Sequence, residues 1–249
     1  MILLLGGTGF VGSAFLSFLE KKRVPHISLT RSEVNYASKD VLASFVRSHS
    51  ISFLINCAGY TGKPNVDACE LNRANCIMGN AVLPGIVHEV CLEAGIPYGH
   101  VSSGCIFSGM KPNGDGFTEE DIPNFSFRSN RCSFYSGCKA LGEEALGYHE
   151  SFQSDGIKHW KSANEIGYVW RLRIPFNEED SPRNYLSKLL SYDKLLDASN
   201  SISHLEEFVE ACWATWTVKA PFGIYNIVNP GAVTTRDVVG LINEAGIWH

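Results

Sequence analysis

The first dozen residues restrict the fold more than any other stretch. Met1-Ile2-Leu3-Leu4-Leu5 is an apolar run of strand length, and it passes directly into Gly6-Gly7-Thr8-Gly9-Phe10-Val11-Gly12. A helical pattern follows, with Phe15, Leu16 and Leu19 on one face and Lys21-Lys22-Arg23 at its end. Strand, glycine turn and helix in this order make a dinucleotide-binding fingerprint. The glycines permit a tight turn, close approach of backbone to a pyrophosphate, and close packing of helix on strand. The new helix then aims its free N–H groups and positive dipole end at the phosphates. The residues expected to line the dinucleotide are therefore Gly6, Gly7, Thr8, Gly9, Phe10, Val11 and Gly12. The alternative is a glycine-rich turn that only lets strand and helix pack.

Downstream, strand patterns at 25–30, 51–56, 97–103 and 167–173 alternate with helical patterns at 41–48, 66–94 (broken or kinked at Pro84) and 135–148. This alternation predicts an α/β fold, a Rossmann-type doubly wound parallel sheet covered on both faces. A chain of 249 residues can hold one such domain with a small appendage. We expect a dinucleotide-binding domain over 1–175 and a small, interleaved substrate-binding part over 176–249. The second part carries helical patterns at 184–192, 204–218 and 234–245 and one strand pattern at 224–228.

Composition excludes several classes. The formal net charge is -5, and no basic run exceeds Lys21-Lys22-Arg23, so no nucleic-acid partner is expected. No uninterrupted apolar run approaches the ~18–20 residues of a membrane span. Residues 1–5 are too short for a signal peptide, so the expectation is a cytoplasmic protein without membrane contact. The eight cysteines are scattered without C-x-x-C or zinc spacing, which predicts reduced thiols and no metal.

Two stretches carry chemistry. The second strand ends in Leu29-Thr30-Arg31-Ser32, with no carboxylate at its tip. A guanidinium there suits the 2′-phosphate of NADPH, while Glu33, two residues later, leaves NADH open. The fourth strand runs into Ser102-Ser103-Gly104-Cys105, and further on comes Tyr135-Ser136-Gly137-Cys138-Lys139. The spacing puts Tyr135 and Lys139 on one helix face. A neighbouring ammonium would bring the phenol down from its usual pKa of ~10 toward the working range. Ser103 would hold a substrate oxygen while the phenol passes its proton during hydride transfer. On extended chain, Cys105 would point the same way as Ser103.

With these residues the sequence resembles the extended short-chain dehydrogenase/reductase superfamily. Within it, the chain is similar to the reductases and epimerase/reductases of 4-keto-6-deoxy sugar nucleotides that make activated rhamnose. The matching stretches include Asn56-Cys57-Ala58-Gly59-Tyr60-Thr61-Gly62, Phe117-Thr118-Glu119, Arg171-Leu172-Arg173-Ile174-Pro175, Pro182-Arg183-Asn184-Tyr185 and Asn229-Pro230-Gly231. The resemblance implies that Ser103, Tyr135 and Lys139 are catalytic and that Asn80 completes their proton relay. It implies that Cys57, Ala58, Gly59 and Tyr60 line the cofactor and that Arg183 and Asn184 belong to the substrate pocket. It further implies a nucleotide-sugar substrate, UDP-linked or dTDP-linked, and a homodimer. In the epimerase/reductases a cysteine at the place of Cys105 works with a base at the place of Lys188 to invert C3 and C5. For this chain, reduction alone and a non-catalytic, nucleotide-binding subunit stay open beside that reading. Two departures stand out. The connection from 149 to 166 is longer and more polar than in the family, as a surface insertion would be. The likeness also runs out at Trp248-His249, several dozen residues before the family usually ends, where part of the substrate side is usually found.

Overall fold

The computed structural model describes residues 1–129, 131–152, 156–162 and 166–246. Its centre is a six-stranded, wholly parallel sheet. The strands are β1 (Ile2–Leu5), β2 (His26–Leu29), β3 (Phe53–Asn56), β4 (Tyr98–Ser103), then β7 (Gly167–Leu172) and β11 (Gly223–Asn226). Their spatial order is β2-β1-β3-β4-β7-β11. The β1 run is apolar throughout because both sheet faces are covered. Leu3 and Leu5 join the core on one side while Ile2 and Leu4 join the core on the other. Each buried leucine there is worth roughly 1.5–3 kcal/mol of transfer free energy.

Helices α1 (Phe10–Lys21) and α7 (Leu205–Thr217) pack together on one face, where Phe15 stacks on Trp170 of β7 at 5.9 Å. The other face carries α2 (Lys39–Ser48), α4 (Leu83–Ala94) and α5 (Phe134–Ala145). The run from Arg73 to Ala94 is helical throughout. It passes from α3 (Arg73–Ile77) through a π-turn (Met78–Val82) into α4. With a mean hydropathy of 1.2 over its best window, this 22-residue helix is long and apolar enough to cross a bilayer, which counting uninterrupted apolar residues overlooked. Half of that window is buried inside the fold, where Leu83, Val87 and Val90 join the core.

Two regions differ from the expected layout. The polar connection after α5 is not a surface insertion alone. It forms an antiparallel hairpin, β5 (Tyr148–Phe152) with β6 (Lys158–Ser162), whose Tyr148 and Trp160 are buried in the main core. Gln153, Ser154 and Asp155 of that connection, and Trp248 and His249, lie outside the described residues. The segment after 175 is divided in space. The short strands β8 (Pro175–Phe176), β9 (Ser199–Asn200) and β10 (Ser203–His204) lie outside the central sheet, whereas α7 and β11 return to it. Leu189 of α6 (Tyr185–Ser191), with Val238 and Ile242 of α8 (Thr235–Glu244), makes a small core of its own.

Candidate active site

The chain leaves β1 for β2 on one side and then crosses back to β3 on the other, so strand order reverses between β1 and β3. Open α/β sheets bind ligands beyond the carboxyl ends of the strands at such a point. The glycines of the fingerprint meet there. A Cβ on Gly6 (φ +80°) would lie 2.6 Å from the Ala58 nitrogen, and one on Gly12 would lie 2.0 Å from the Gly6 carbonyl oxygen. Only glycine fits either place. Thr8 completes the turn, and Gly9 stands at the N-cap of α1 with no side-chain cap over the first turn of Phe10, Val11 and Gly12. This bare, backbone-lined helix end suits a pyrophosphate.

The β3 end is held by a short buried relay. Asn56 Oδ1 accepts from the Ala58 N–H at 3.1 Å, which leaves the Asn56 amide to donate to His100 Nδ1, also at 3.1 Å. Burial, and then the charge of Lys139, hold His100 well below the usual imidazole range, so it stays neutral and accepts that bond. Cys57, beside Ala58, has its thiol pushed well up by burial, with Lys139 opposing. At the tip of β2, the carboxylate of Glu33 turns back to accept from the Thr30 N–H (2.9 Å) and hydroxyl (2.6 Å). Arg31 stays exposed and lies over the Tyr36 ring, 5.8 Å from its centroid. The carboxylate that left NADH open is thus engaged, and the guanidinium is available.

Asn80 lies in the π-turn. Pro84 has no N–H to offer the Asn80 carbonyl four residues back, and the Leu83 N–H reaches back to Met78 instead. The freed carbonyl faces α5 so closely that a Cβ on Gly142 would lie 2.2 Å from it. The Asn80 side chain pairs with both backbone groups of Tyr60, accepting at 3.2 Å and donating at 2.7 Å. Its amide is therefore a strut for the 58–60 loop rather than a hydrogen-bonded link to Tyr135 or Lys139. Gly59 lies between the two sites, since a Cβ there would be 3.0 Å from Asn80 Oδ1 and 3.7 Å from Lys139 Nζ.

Ser103, Cys105, Tyr135 and Lys139 converge, in part for other reasons than the sequence suggested. The chain is not extended at Cys105. A 3₁₀ turn begins at Gly104, and the Ser103 hydroxyl oxygen accepts from the Cys105 N–H at 3.2 Å. The turn still leaves the Cys105 thiol within reach of the Ser103 and Ser136 hydroxyls. Burial pushes the thiol up, against those hydroxyls and the charges of Lys139 and Arg173. Lys139 does not lower the Tyr135 phenol as expected. Its buried ammonium donates to the Val101 carbonyl at 3.3 Å, and burial holds Tyr135 well above the ordinary phenol range. Burial also lowers Lys139 itself, against the thiol of Cys105 and the carboxylate of Glu143.

From the second half of the chain, Arg183 reaches into the same region and donates to the carbonyls of Thr61 and Gly62. Its charge opposes the rise at Tyr135 and, after burial, helps to lower the Lys188 amine. Tyr135 is thus within the influence of both Cys105 and Arg183, and Arg183 also acts on Lys188. The Asn184 side chain is engaged within its own turn rather than aimed at a substrate. It is buried, caps α6 through Leu186 N–H at 3.1 Å, and donates to Asn177 and Glu179 carbonyls at 2.7 Å each. Its role is to hold the turn that presents Arg183.

Sequence reasoning missed the support behind these groups. Glu143, one turn along α5 from Lys139, accepts from Arg171 (2.9 and 2.7 Å), the Ser102 hydroxyl (2.7 Å) and the Trp160 indole (3.1 Å). The pair is fully buried and ties together β4, α5, β7 and the hairpin. A glutamate at helical spacing from Lys139 was a usable signal. Trp160, far along a polar segment, gave none.

Comparison with known proteins follows the same outline. Residues 1–151 match the sequence profile of the family described as RmlD substrate binding domain. The bifunctional dTDP-4-dehydrorhamnose 3,5-epimerase/dTDP-4-dehydrorhamnose reductase of Arabidopsis thaliana is 29% identical over 97% of this chain and 74% of its own length. A trifunctional UDP-glucose 4,6-dehydratase/UDP-4-keto-6-deoxy-D-glucose 3,5-epimerase/UDP-4-keto-L-rhamnose-reductase of the same plant is 28% identical over 97% of this chain, which spans only 33% of it. Among solved structures, a UDP-rhamnose synthase from Acanthamoeba polyphaga mimivirus superposes with a TM-score of 0.82 at 22% identity, covering 98% of this chain and 79% of that one.

Proposed function

Because the chain belongs to the RmlD substrate-binding-domain family, we propose that it is an NADPH-dependent reductase of a nucleotide-linked 4-keto-6-deoxyhexose that also epimerises C3 and C5, giving a nucleotide-rhamnose. The observation that carries this reading is the convergence of Ser103, Tyr135, Lys139 and Cys105 at the carboxyl ends of the sheet, beside the glycine cradle. The bare helix end and the exposed Arg31 suit NADPH, which supplies the hydride when bound.

This chain's own groups then do the following. Tyr135, held high by burial, keeps its proton through the neutral range and gives it to the C4 oxygen as the ketone is reduced. The Ser103 hydroxyl orients that oxygen. Lys139, anchored at the Val101 carbonyl, supplies positive charge behind the phenol as the proton leaves. For epimerisation, the same C4 carbonyl acidifies the protons on C3 and C5, and an acid and a base must act from opposite ring faces. Cys105 and Lys188 fill these roles, the amine having been lowered by burial and by Arg183.

UDP is the favoured carrier over dTDP on the likeness to the trifunctional plant protein and the viral UDP-rhamnose synthase, while the bifunctional plant relative, named for dTDP sugars, keeps dTDP as the alternative. The reduction-only reading draws on one observation, the upward push of burial on the Cys105 thiol. The experiment follows NADPH absorbance with UDP-4-keto-6-deoxyglucose and identifies the sugar by NMR. Oxidation with UDP-rhamnose as product is expected. Oxidation giving an unepimerised sugar would leave reduction alone, and absence of oxidation with both UDP and dTDP sugars would refute the proposal. A cytoplasmic homodimer remains part of the reading, and sedimentation of the purified chain tests the dimer.

A further inference from the structure

Two arginines leave β7 two residues apart. Arg171 is paired with Glu143, whereas Arg173 has no carboxylate partner among the described residues. The partly buried guanidinium of Arg173 donates through Nε and Nη2 to one neutral acceptor, Asn200 Oδ1, at 3.1 and 2.5 Å. Its backbone N–H is fixed by the Ser203 hydroxyl at 3.0 Å. The next residue, Ile174, has φ +44°, a left-handed conformation that a β-branched side chain adopts at a cost. This kink ends the strand and lays the arginine stem along Gly104. A Cβ on Gly104 would lie 3.5 Å from Arg173 Cδ, an ordinary van der Waals distance, so the arginine stem runs directly beside the turn that carries Cys105. Ser103 pairs with Leu172 across the sheet, so Cys105 and Arg173 lie just past neighbouring strand ends.

A cation taken from water without a counter-ion is costly, and it persists where a ligand or a reacting group supplies the negative charge. We propose that Arg173 is the counter-charge of the Cys105 thiolate in the epimerisation half of the reaction. The inference rests on the epimerase reading above. Whether Cys105 takes a proton or gives one, it passes through the thiolate in one half of the cycle. As base, it takes the proton from C3 or C5, the C–H electron pair moves into an enolate with its charge on the C4 oxygen, and the Lys188 ammonium protonates the opposite face. As acid, the order reverses and the thiolate is the product. The groups facing Cys105 are the hydroxyls of Ser103 and Ser136, the cations Lys139 and Arg173, and the titratable Tyr135 and Cys132. Lys139 also acts on the thiol, but its ammonium is anchored at the Val101 carbonyl and shares the Glu143 carboxylate, whereas Arg173 has no carboxylate among the described residues to share its charge with.

The test measures two rates on the full chain with NADP⁺ bound, so that no reduction follows. One is alkylation of Cys105 by iodoacetamide against pH, read by peptide mass spectrometry with Cys105→Ala as reference. The other is deuterium entry at C3 and C5 of UDP-4-keto-6-deoxyglucose in D₂O, read by NMR. Arg173→Gln should raise the alkylation midpoint by about one pH unit and slow both rates near neutrality by ~10-fold. Arg173→Lys should hold both within ~3-fold of wild type. Asn200→Asp offers a second route that leaves the guanidinium in place. By giving Arg173 a carboxylate of its own, it should raise the midpoint in the same direction. Superimposable alkylation profiles for wild type, Arg173→Gln and Asn200→Asp would overturn the pairing even where exchange is present. A shifted alkylation profile with no deuterium entry in wild type would instead overturn the epimerase role and leave the charge pairing standing.

Discussion

Arg171 and Arg173 share a strand, a charge and a neighbourhood, yet their surroundings are opposite. Around Arg171 the protein has supplied nearly everything. A fully buried carboxylate accepts two of its N–H groups, the same carboxylate is satisfied by Ser102 and Trp160, and the Phe107 ring lies 5.2 Å from the guanidinium carbon. The charge of Arg171 is thus matched, although its Nη1 is buried without a hydrogen-bond partner among the described residues. Around Arg173 and the strand ends beside it, groups are held but incompletely matched: a cation without a carboxylate, a thiol and a phenol pushed up by burial, an ammonium resting on a carbonyl. Matched interior groups fix the geometry, and mismatched ones at the rim provide the chemistry.

The largest expected effect breaks the matched side. Glu143→Gln leaves Arg171 charged, buried and unpaired, and should destabilise the fold by about 3–5 kcal/mol in urea unfolding. Adding Arg171→Met removes the orphaned charge and should recover much of that loss. A double variant no more stable than the single one would show that the network works through something other than charge matching. Tyr135→Phe probes the other side. It removes the proton donor and should lower kcat with the keto-sugar by ~10²–10⁴-fold, while the urea midpoint stays close to wild type. A large stability loss with retained turnover would mean that the phenol belongs to the matched interior instead.

These two regions were not equally legible in the sequence. The matched strands were, because a strand buried on both faces reads as an unbroken apolar run and the glycine turn has few other uses. The convergence of Ser103, Tyr135 and Lys139 was also legible, since their spacing is local to a strand end and a helix. The Cys105 geometry was misread because a side-chain-to-backbone bond from Ser103 turns the chain immediately after the strand, at Gly104, and no periodicity records that. Asn184 was given to the substrate pocket with Arg183, because nothing in the spacing shows that the carbonyls of Asn177 and Glu179 turn back to meet its amide. Trp160 was taken for a surface residue because burial of a hairpin flank depends on contacts distant in sequence. Local chemistry is written in spacing, but long-range satisfaction of polar groups is not.

A smaller effect sharpens the comparison at the cofactor end. Arg31 is exposed and stacked on Tyr36, with Glu33 drawn off to Thr30. Arg31→Ala should raise KM for NADPH by ~5–10-fold, about 1–1.4 kcal/mol of lost charge-assisted binding. KM for NADH should barely change. Equal effects on the two cofactors would place the guanidinium on the shared pyrophosphate or ribose, not on a 2′-phosphate.

The smallest effect concerns His100, a buried group on the matched side that nonetheless titrates. Its folded pKa lies well below the ordinary imidazole value, through burial and then Lys139. Above the unfolded value of ~6.5 both states are neutral, and His100 adds no pH dependence. Below it, the unfolded chain takes up a proton that the folded chain refuses, so stability falls as pH drops from ~6.5 toward the folded pKa. Protonation in the fold would also turn the Nδ1 acceptor into a donor facing the Asn56 amide, and the Ala58 N–H relay behind the cofactor loop would lose its anchor. His88, also lowered by burial, contributes in the same direction, so the comparison must be between wild type and His100→Asn. Urea midpoints taken from pH 8 to 5.5 should fall more steeply for wild type than for the variant. Parallel profiles would mean that His100 accepts its proton as readily folded as unfolded, and the Asn56 relay would have to be oriented the other way round.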